Sequence, residues 1–182
     1  MPLEIIEKRL QKLADKKTAE TLQKFFKTGP GEYGEGNANK KKGIYELYLK
    51  NSRHVNSWDL VDGSAAHIVG TFLMDKSKAP LCRLAASKNL WQRRIAIIAT
   101  FHFIKNGQFS ETLKISKLLL TDKEDLIHKA VGWMLREVGK RDMLTSEAFL
   151  KEHYRVMPRT MLRYAIEKFP EPHRQKYLKG EI

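Results

Sequence analysis

Apolar residues recur along this chain at three- and four-residue intervals, the repeat of helices that bury one face. Leu3, Ile6, Leu10 and Leu13 open the series, and Leu22, Phe25 and Phe26 carry it through a second segment over 18–26. The pattern then stops. Gly29, Pro30, Gly31, Gly34 and Gly36 crowd one stretch, which predicts a flexible loop or connector over 28–42. From Gly43 the helical spacing returns and predicts helices over 44–49, 58–74, 81–86, 90–105, 109–120, 122–139, 145–154, 158–169 and 172–178. Boundary residues agree with these limits. Ser57 suits an N-cap, and Asp122 can cap a helix whose next acids favour an N-terminus. Gly139 suits a stop, Pro158 a first turn and Pro170 a terminator. Period-two alternation is absent, so no strand is predicted.

The longer helices begin near residues 57, 89, 122 and 158, at intervals of 32, 33 and 36, and a shorter helix precedes each. Helix pairs at this period predict an all-α fold, an α-solenoid of the HEAT type, with the whole of 1–182 as one domain. In such a stack the second helices line a concave wall able to hold an extended ligand.

Charge narrows the choice of ligand. Lys and Arg number 34 against 21 Asp and Glu, a net +13 at pH 7, so a polyanion is the first partner to consider. Cys82 is the only cysteine, which excludes an internal disulfide and fits a reducing cytosol. The N-terminus carries early acids and no signal-length apolar run, and the longest apolar stretch, Ile95 to Ile104, is too short to span a bilayer. A soluble, cytoplasmic, monomeric protein without membrane contact is expected. Six scattered histidines lack metal-ligand spacing and no phosphate-binding glycine loop precedes a helix, so neither metal nor cofactor is expected.

The predicted second helices present a repeated chemistry. Trp58 and Asp62, four apart, share one face of the first. Arg93 and Arg94 follow Trp91 on the next, where Leu90, Ile95, Ile98 and Phe101 mark Trp91 as core. Lys129, Trp133, Arg136 and Lys140 form a stripe on the third, and Arg159 and Arg163 lie four apart on the fourth. Taken singly, each charge reads best as a solvated face and each tryptophan as core. Repetition on successive helices points instead to a basic wall that tracks a phosphate backbone.

These residues resemble the AlkD-like DNA alkylation repair proteins, a family of HEAT-like DNA glycosylases. The resemblance is carried by Trp58-Asp59-Leu60-Val61-Asp62, by Leu90-Trp91-Gln92-Arg93-Arg94, by the run from His128 through Trp133 to Glu137, and by Met157 to Ala165. It extends over about 44–180 and again over 3–36. It implies hydrolysis of the N-glycosidic bond of cationic alkylated purines, N7-alkylguanine and N3-alkyladenine, in double-stranded DNA. It further implies Trp58, Asp62 and Trp133 as the active-site trio, with Arg94 beside them as a DNA contact, and a lesion that is not flipped into a deep pocket. Members of the family carry further helices where this chain has only Asn37 to Gly43, so roughly one repeat or more is missing. The expected consequence is a retained chemical site with a weakened grip on DNA.

Two alternatives use the same features. A non-catalytic DNA- or RNA-binding solenoid would bind in a salt-dependent way and excise nothing. A protein-interaction scaffold would bind little nucleic acid. A carboxylate between two aromatics on a cationic wall weakens attraction for phosphate, which favours the enzyme.

Overall fold

A computed structural model describes residues 38–182; the helices expected over 3–13 and 18–26, and the connector up to residue 37, lie outside the described residues. Among the described residues the chain is entirely helical, with nine helices and no strand. The first, α1 (Ala38–Asn51), begins inside the stretch read as connector and is longer than the 44–49 expected from spacing. Alanine and lysine are good helix formers, and a Lys42–Glu46 pair at 3.7 Å supports the exposed side. Tyr45 and Tyr48 anchor the buried side, Tyr45 stacked on Phe72 with centroids 4.2 Å apart. This offsets the cost of Gly43, about 1 kcal/mol in a helix interior.

Next comes α2, in which Trp58–Ala65 and Thr71–Leu73 are joined by a π-helical turn, Ala66–Gly70. The remaining helices are α3 (Ala79–Ala85), α4 (Leu90–Lys105), α5 (Ser110–Leu118), α6 (Asp125–Gly139), α7 (Met143–His153), α8 (Arg159–Ala165) and α9 (Glu171–Lys179). The two largest inward shifts of a boundary are at α6 and α8. α6 starts at Asp125 rather than 122 because the Asp122 carboxylate accepts the Glu124 amide at 3.0 Å and faces Arg93, holding a turn ahead of the helix. α8 stops at Ala165 rather than 169, although Phe169 remains buried.

Helices α2, α4, α6 and α8 pack in succession, each on the next, although α8, at seven residues, is shorter than the α7 that precedes it and not the longer member expected there. α3 and α5 lie against α4, α7 against α6, and α1 against α2. This order is compatible with a helical repeat. Buried side chains from Tyr45 to Tyr177 join in one cluster.

Two glycines set the closest approaches. A Cβ on Gly70 would lie 2.3 Å from the Ala99 carbonyl oxygen, where α2 crosses α4. One on Gly132 would lie 2.5 Å from both the Met161 carbonyl oxygen and Tyr164 Cβ, where α6 crosses α8. Among the described residues, no helix is long and apolar enough to cross a membrane.

Candidate active site

The site is built where the first turns of α2 and α4 meet α6. Ser57 has the extended backbone of an N-cap, but its hydroxyl turns to the Asp59 carboxylate and makes no cap bond to the helix. Trp58 therefore stands at the first helical position with 55% of its surface exposed. Asp62 follows one turn later. On α4, Asn89 caps the helix by accepting the Trp91 and Gln92 amides at 2.8 and 3.2 Å. That cap fixes the direction of the next three side chains. Trp91 is half-buried against the core, as its neighbours require.

Arg94 is the most enclosed of the charged side chains here. Its Nε donates to Asp62 Oδ1 at 2.9 Å and its Nη2 to Oδ2 at 2.7 Å, a bidentate fork. Its Nη1 donates to the Leu126 carbonyl at the start of α6 at 2.5 Å. Arg94 side-chain exposure is 6% and that of Asp62 is 17%. A guanidinium so enclosed is tolerable only when its donors are used in this way. One residue thus ties α2 and α6 to α4.

Above it opens a cavity of about 320 Å³ lined by Trp58, Arg94, Leu126, Lys129, Trp133, Arg136 and Tyr164. Four helices contribute, and two indoles share the space. Trp133 leans on Phe101, with centroids 5.9 Å apart. Asp62 is not among the lining side chains; it stands behind Arg94.

The cations divide into two groups. Arg94, Lys129 and Arg136 line the cavity, whereas Arg93, Lys140, Arg159 and Arg163 do not. Within the cavity each cation has an acidic partner. Lys129 Nζ lies 2.7 Å from Asp125, and the hydrogen bond between them raises the lysine pKa and lowers that of the carboxylate. Arg136 pairs with Glu167 across the α6–α8 crossing, while its buried Nε has no hydrogen-bond partner. Behind them, burial works to raise the Glu137 pKa. Hydrogen bonds from Lys140 and Arg141 outweigh it and hold the carboxyl below its usual range. Outside the cavity, Arg93 is engaged with Asp122, and Arg159 donates to the Leu178 carbonyl at 3.0 Å. Arg163 is exposed. Among the described residues, no three His, Cys, Asp or Glu side chains gather as a metal-binding set.

Leu126 and Tyr164 line the cavity but were given no role by spacing. Tyr164 was legible in principle: Gly132 beside Trp133 marks a close crossing, and the Tyr164 Cβ is what fills it.

Among the described residues, a helical array thus gathers two indoles and three cations in one hollow. The chain is a member of the DNA alkylation repair enzyme family, whose description matches residues 31–169. That membership brings a role in DNA alkylation repair and a DNA substrate. No curated protein matches the chain.

Proposed function

We propose that the protein is a DNA glycosylase that releases cationic alkylated purines, N7-alkylguanine and N3-alkyladenine, from duplex DNA. The fold reading behind this is a HEAT-like solenoid in which α2, α4, α6 and α8 form a concave basic wall, and their successive packing supports it. The observation that carries the function is one arrangement: indoles of α2 and α6 facing a common cavity, with the Asp62 carboxylate clasped by Arg94 directly behind its lining.

The chemistry follows from the lesion. An N7- or N3-alkylated purine already carries positive charge. When the bond from C1′ to N9 breaks, its electron pair stays with the base, which leaves neutral. The sugar becomes oxocarbenium-like and is captured by water, whose proton passes to Asp62. A carboxylate near C1′ stabilises the developing charge. The indole faces of Trp58 and Trp133 pack against the cationic nucleotide, a contact of about 0.5–2 kcal/mol. Lys129 and Arg136 face the flanking phosphates, since a cationic base would be repelled by them. The bidentate fork leaves lone pairs on both Asp62 oxygens for water.

One observation favours a second reading, a DNA- or RNA-binding array without catalysis: both Asp62 oxygens are engaged by Arg94 and the carboxylate is absent from the cavity lining. Base release from duplex DNA containing N7-methylguanine separates the two. The intact chain should release free base, and Asp62→Asn should be slower by about two orders of magnitude, the scale of one preorganised electrostatic group. Equal rates would remove Asp62 from the mechanism, and binding without release by the intact chain would establish the second reading.

A further inference from the structure

Three consecutive polar residues follow Leu90 and Trp91 early in α4: Gln92, Arg93 and Arg94. At about 100° per residue they fan out in three directions. Arg94 reaches Asp62 and the Leu126 carbonyl. The other two reach turns on either side. Gln92 Nε2 donates to Ser52 Oγ in the α1–α2 turn at 2.7 Å, and its Oε1 accepts from Ser87 Oγ in the α3–α4 turn at 2.6 Å. Arg93 donates from Nε to Asp122 Oδ2 at 2.6 Å and from Nη2 to Oδ1 at 3.3 Å, across to the α5–α6 turn. Its Nη1 also donates to the Ser87 and Lys88 carbonyls at 3.0 Å each. The line continues, because the Asp122 carbonyl accepts His128 Nε2 at 2.5 Å, and His128 precedes Lys129 on α6. A single polar chain therefore runs from the turn before Trp58 to the first turns of the helix that carries Trp133.

We propose that Gln92 and Arg93 are positioning residues that set the gap between the Trp58 and Trp133 walls of the cavity. The inference rests on the glycosylase reading for its catalytic consequence. It also assigns Arg93 differently from a phosphate contact. Four acceptors already converge on its guanidinium, the Asp122–Arg93 pair is largely enclosed (side-chain exposures 6% and 15%), and Arg93 is not among the cavity-lining residues. A guanidinium used as a fork is not replaceable by an ammonium, which is a point charge with different reach. A phosphate contact tolerates that exchange far better.

The test uses Arg93→Lys, Arg93→Gln, Asp122→Asn and Gln92→Met in the full chain, with Arg163→Gln as comparator. Three readouts are taken: single-turnover release of N7-methylguanine, the salt dependence of binding to undamaged duplex, and ¹⁹F NMR of 5-fluorotryptophan incorporated at the three tryptophans. Displacing a wall by about 1 Å slows release by up to a hundredfold. Both Arg93 variants and Asp122→Asn should therefore slow release at least tenfold, leave the salt slope unchanged, and shift or broaden the Trp133 resonance. Gln92→Met should move the Trp58 resonance instead. Arg163→Gln should leave both resonances in place. The proposal is overturned if Arg93→Lys behaves as the native chain while Arg93→Gln lowers the salt slope by about 0.9, the value for one lost phosphate contact. Unmoved tryptophan resonances in folded Arg93 variants would overturn it equally. If the intact chain releases no base, the glycosylase reading fails, and the salt slope and ¹⁹F spectra decide the positioning role without it.

Discussion

Replacing Arg94 by methionine keeps most of the side-chain volume and removes all three of its hydrogen bonds. The Asp62 carboxylate is then left with its surface largely covered and no counter-charge, and the Leu126 carbonyl loses its donor. Breaking one partner out of a buried ion pair typically destabilises by about 3–5 kcal/mol. Asp62 retains 17% exposure, so some water reaches it and the loss falls at or somewhat below the bottom of that range. A loss of about 2–3 kcal/mol is expected. For a chain of this size each kcal/mol moves the melting midpoint by about 2–4 °C, which predicts a fall of about 4–12 °C by circular dichroism. The sign of a second experiment follows from the same physics. Asp62→Leu combined with Arg94→Met removes both charges, so the double variant should be more stable than Arg94→Met alone by at least about 1 kcal/mol. A melting midpoint for Arg94→Met within about 1 °C of native would refute the claim that this fork ties α2 to α6. So would a double variant less stable than the single one.

Three more outcomes are expected. Gly132→Ala forces its methyl into the Met161 carbonyl and Tyr164, so it should destabilise by about 1–3 kcal/mol in urea titration and slow base release by misplacing Trp133. Glu167→Gln removes the nearer of the two carboxylates beside Arg136 and leaves only Glu137 at 3.9 Å, so the salt slope of duplex binding should steepen by up to about 0.9 while the fold is retained. Burial pushes His67 and His102 below their ordinary value near 6.5; Lys105 adds to this for both, as does His67 for His102. The folded state then binds fewer protons than the unfolded chain, so stability is complete above about pH 6.5 and declines as pH falls below it. His102→Gln should reduce the drop in melting midpoint between pH 7.5 and 5.5; an unchanged drop would exclude this group. The acids held low by hydrogen-bonding cations, Asp125 by Lys129 and Glu167 by Lys168, titrate in a separate window below about pH 4.5.

Sequence spacing conveyed a helix best where an apolar stripe and a clear stop coincide, as in α6. The start of α4 at Leu90 and the end of α6 at Gly139 match the residues that spacing and caps marked. Trp58, Trp133, Arg94, Lys129 and Arg136 meet in one cavity, as their shared faces implied. What spacing could not convey was partnership. A periodic pattern says which face a cation occupies, not which acid waits 30 residues away. Asp122 read as a cap is chiefly the anchor of Arg93, and Asp62 read as open to the wall is clasped by Arg94. The α1 boundary was missed because the glycines before residue 37 were allowed to outweigh the good helical preference of the alanine and lysines after it.

The π turn in α2 has a mechanical meaning of its own. Such a turn accommodates one surplus residue and so offsets the angular phase of everything beyond it. Upstream of Ala66, the helix aims Asp62 at Arg94; downstream, it aims Gly70 at Ala99. Winding these same residues as ordinary α-helix, with the surplus one kept, would swing one end by about 100° relative to the other. Either the carboxylate would lose its clasp or a bulkier side chain would jam the crossing. The surplus residue works as a gear offset, letting one rod mesh with the same neighbour twice.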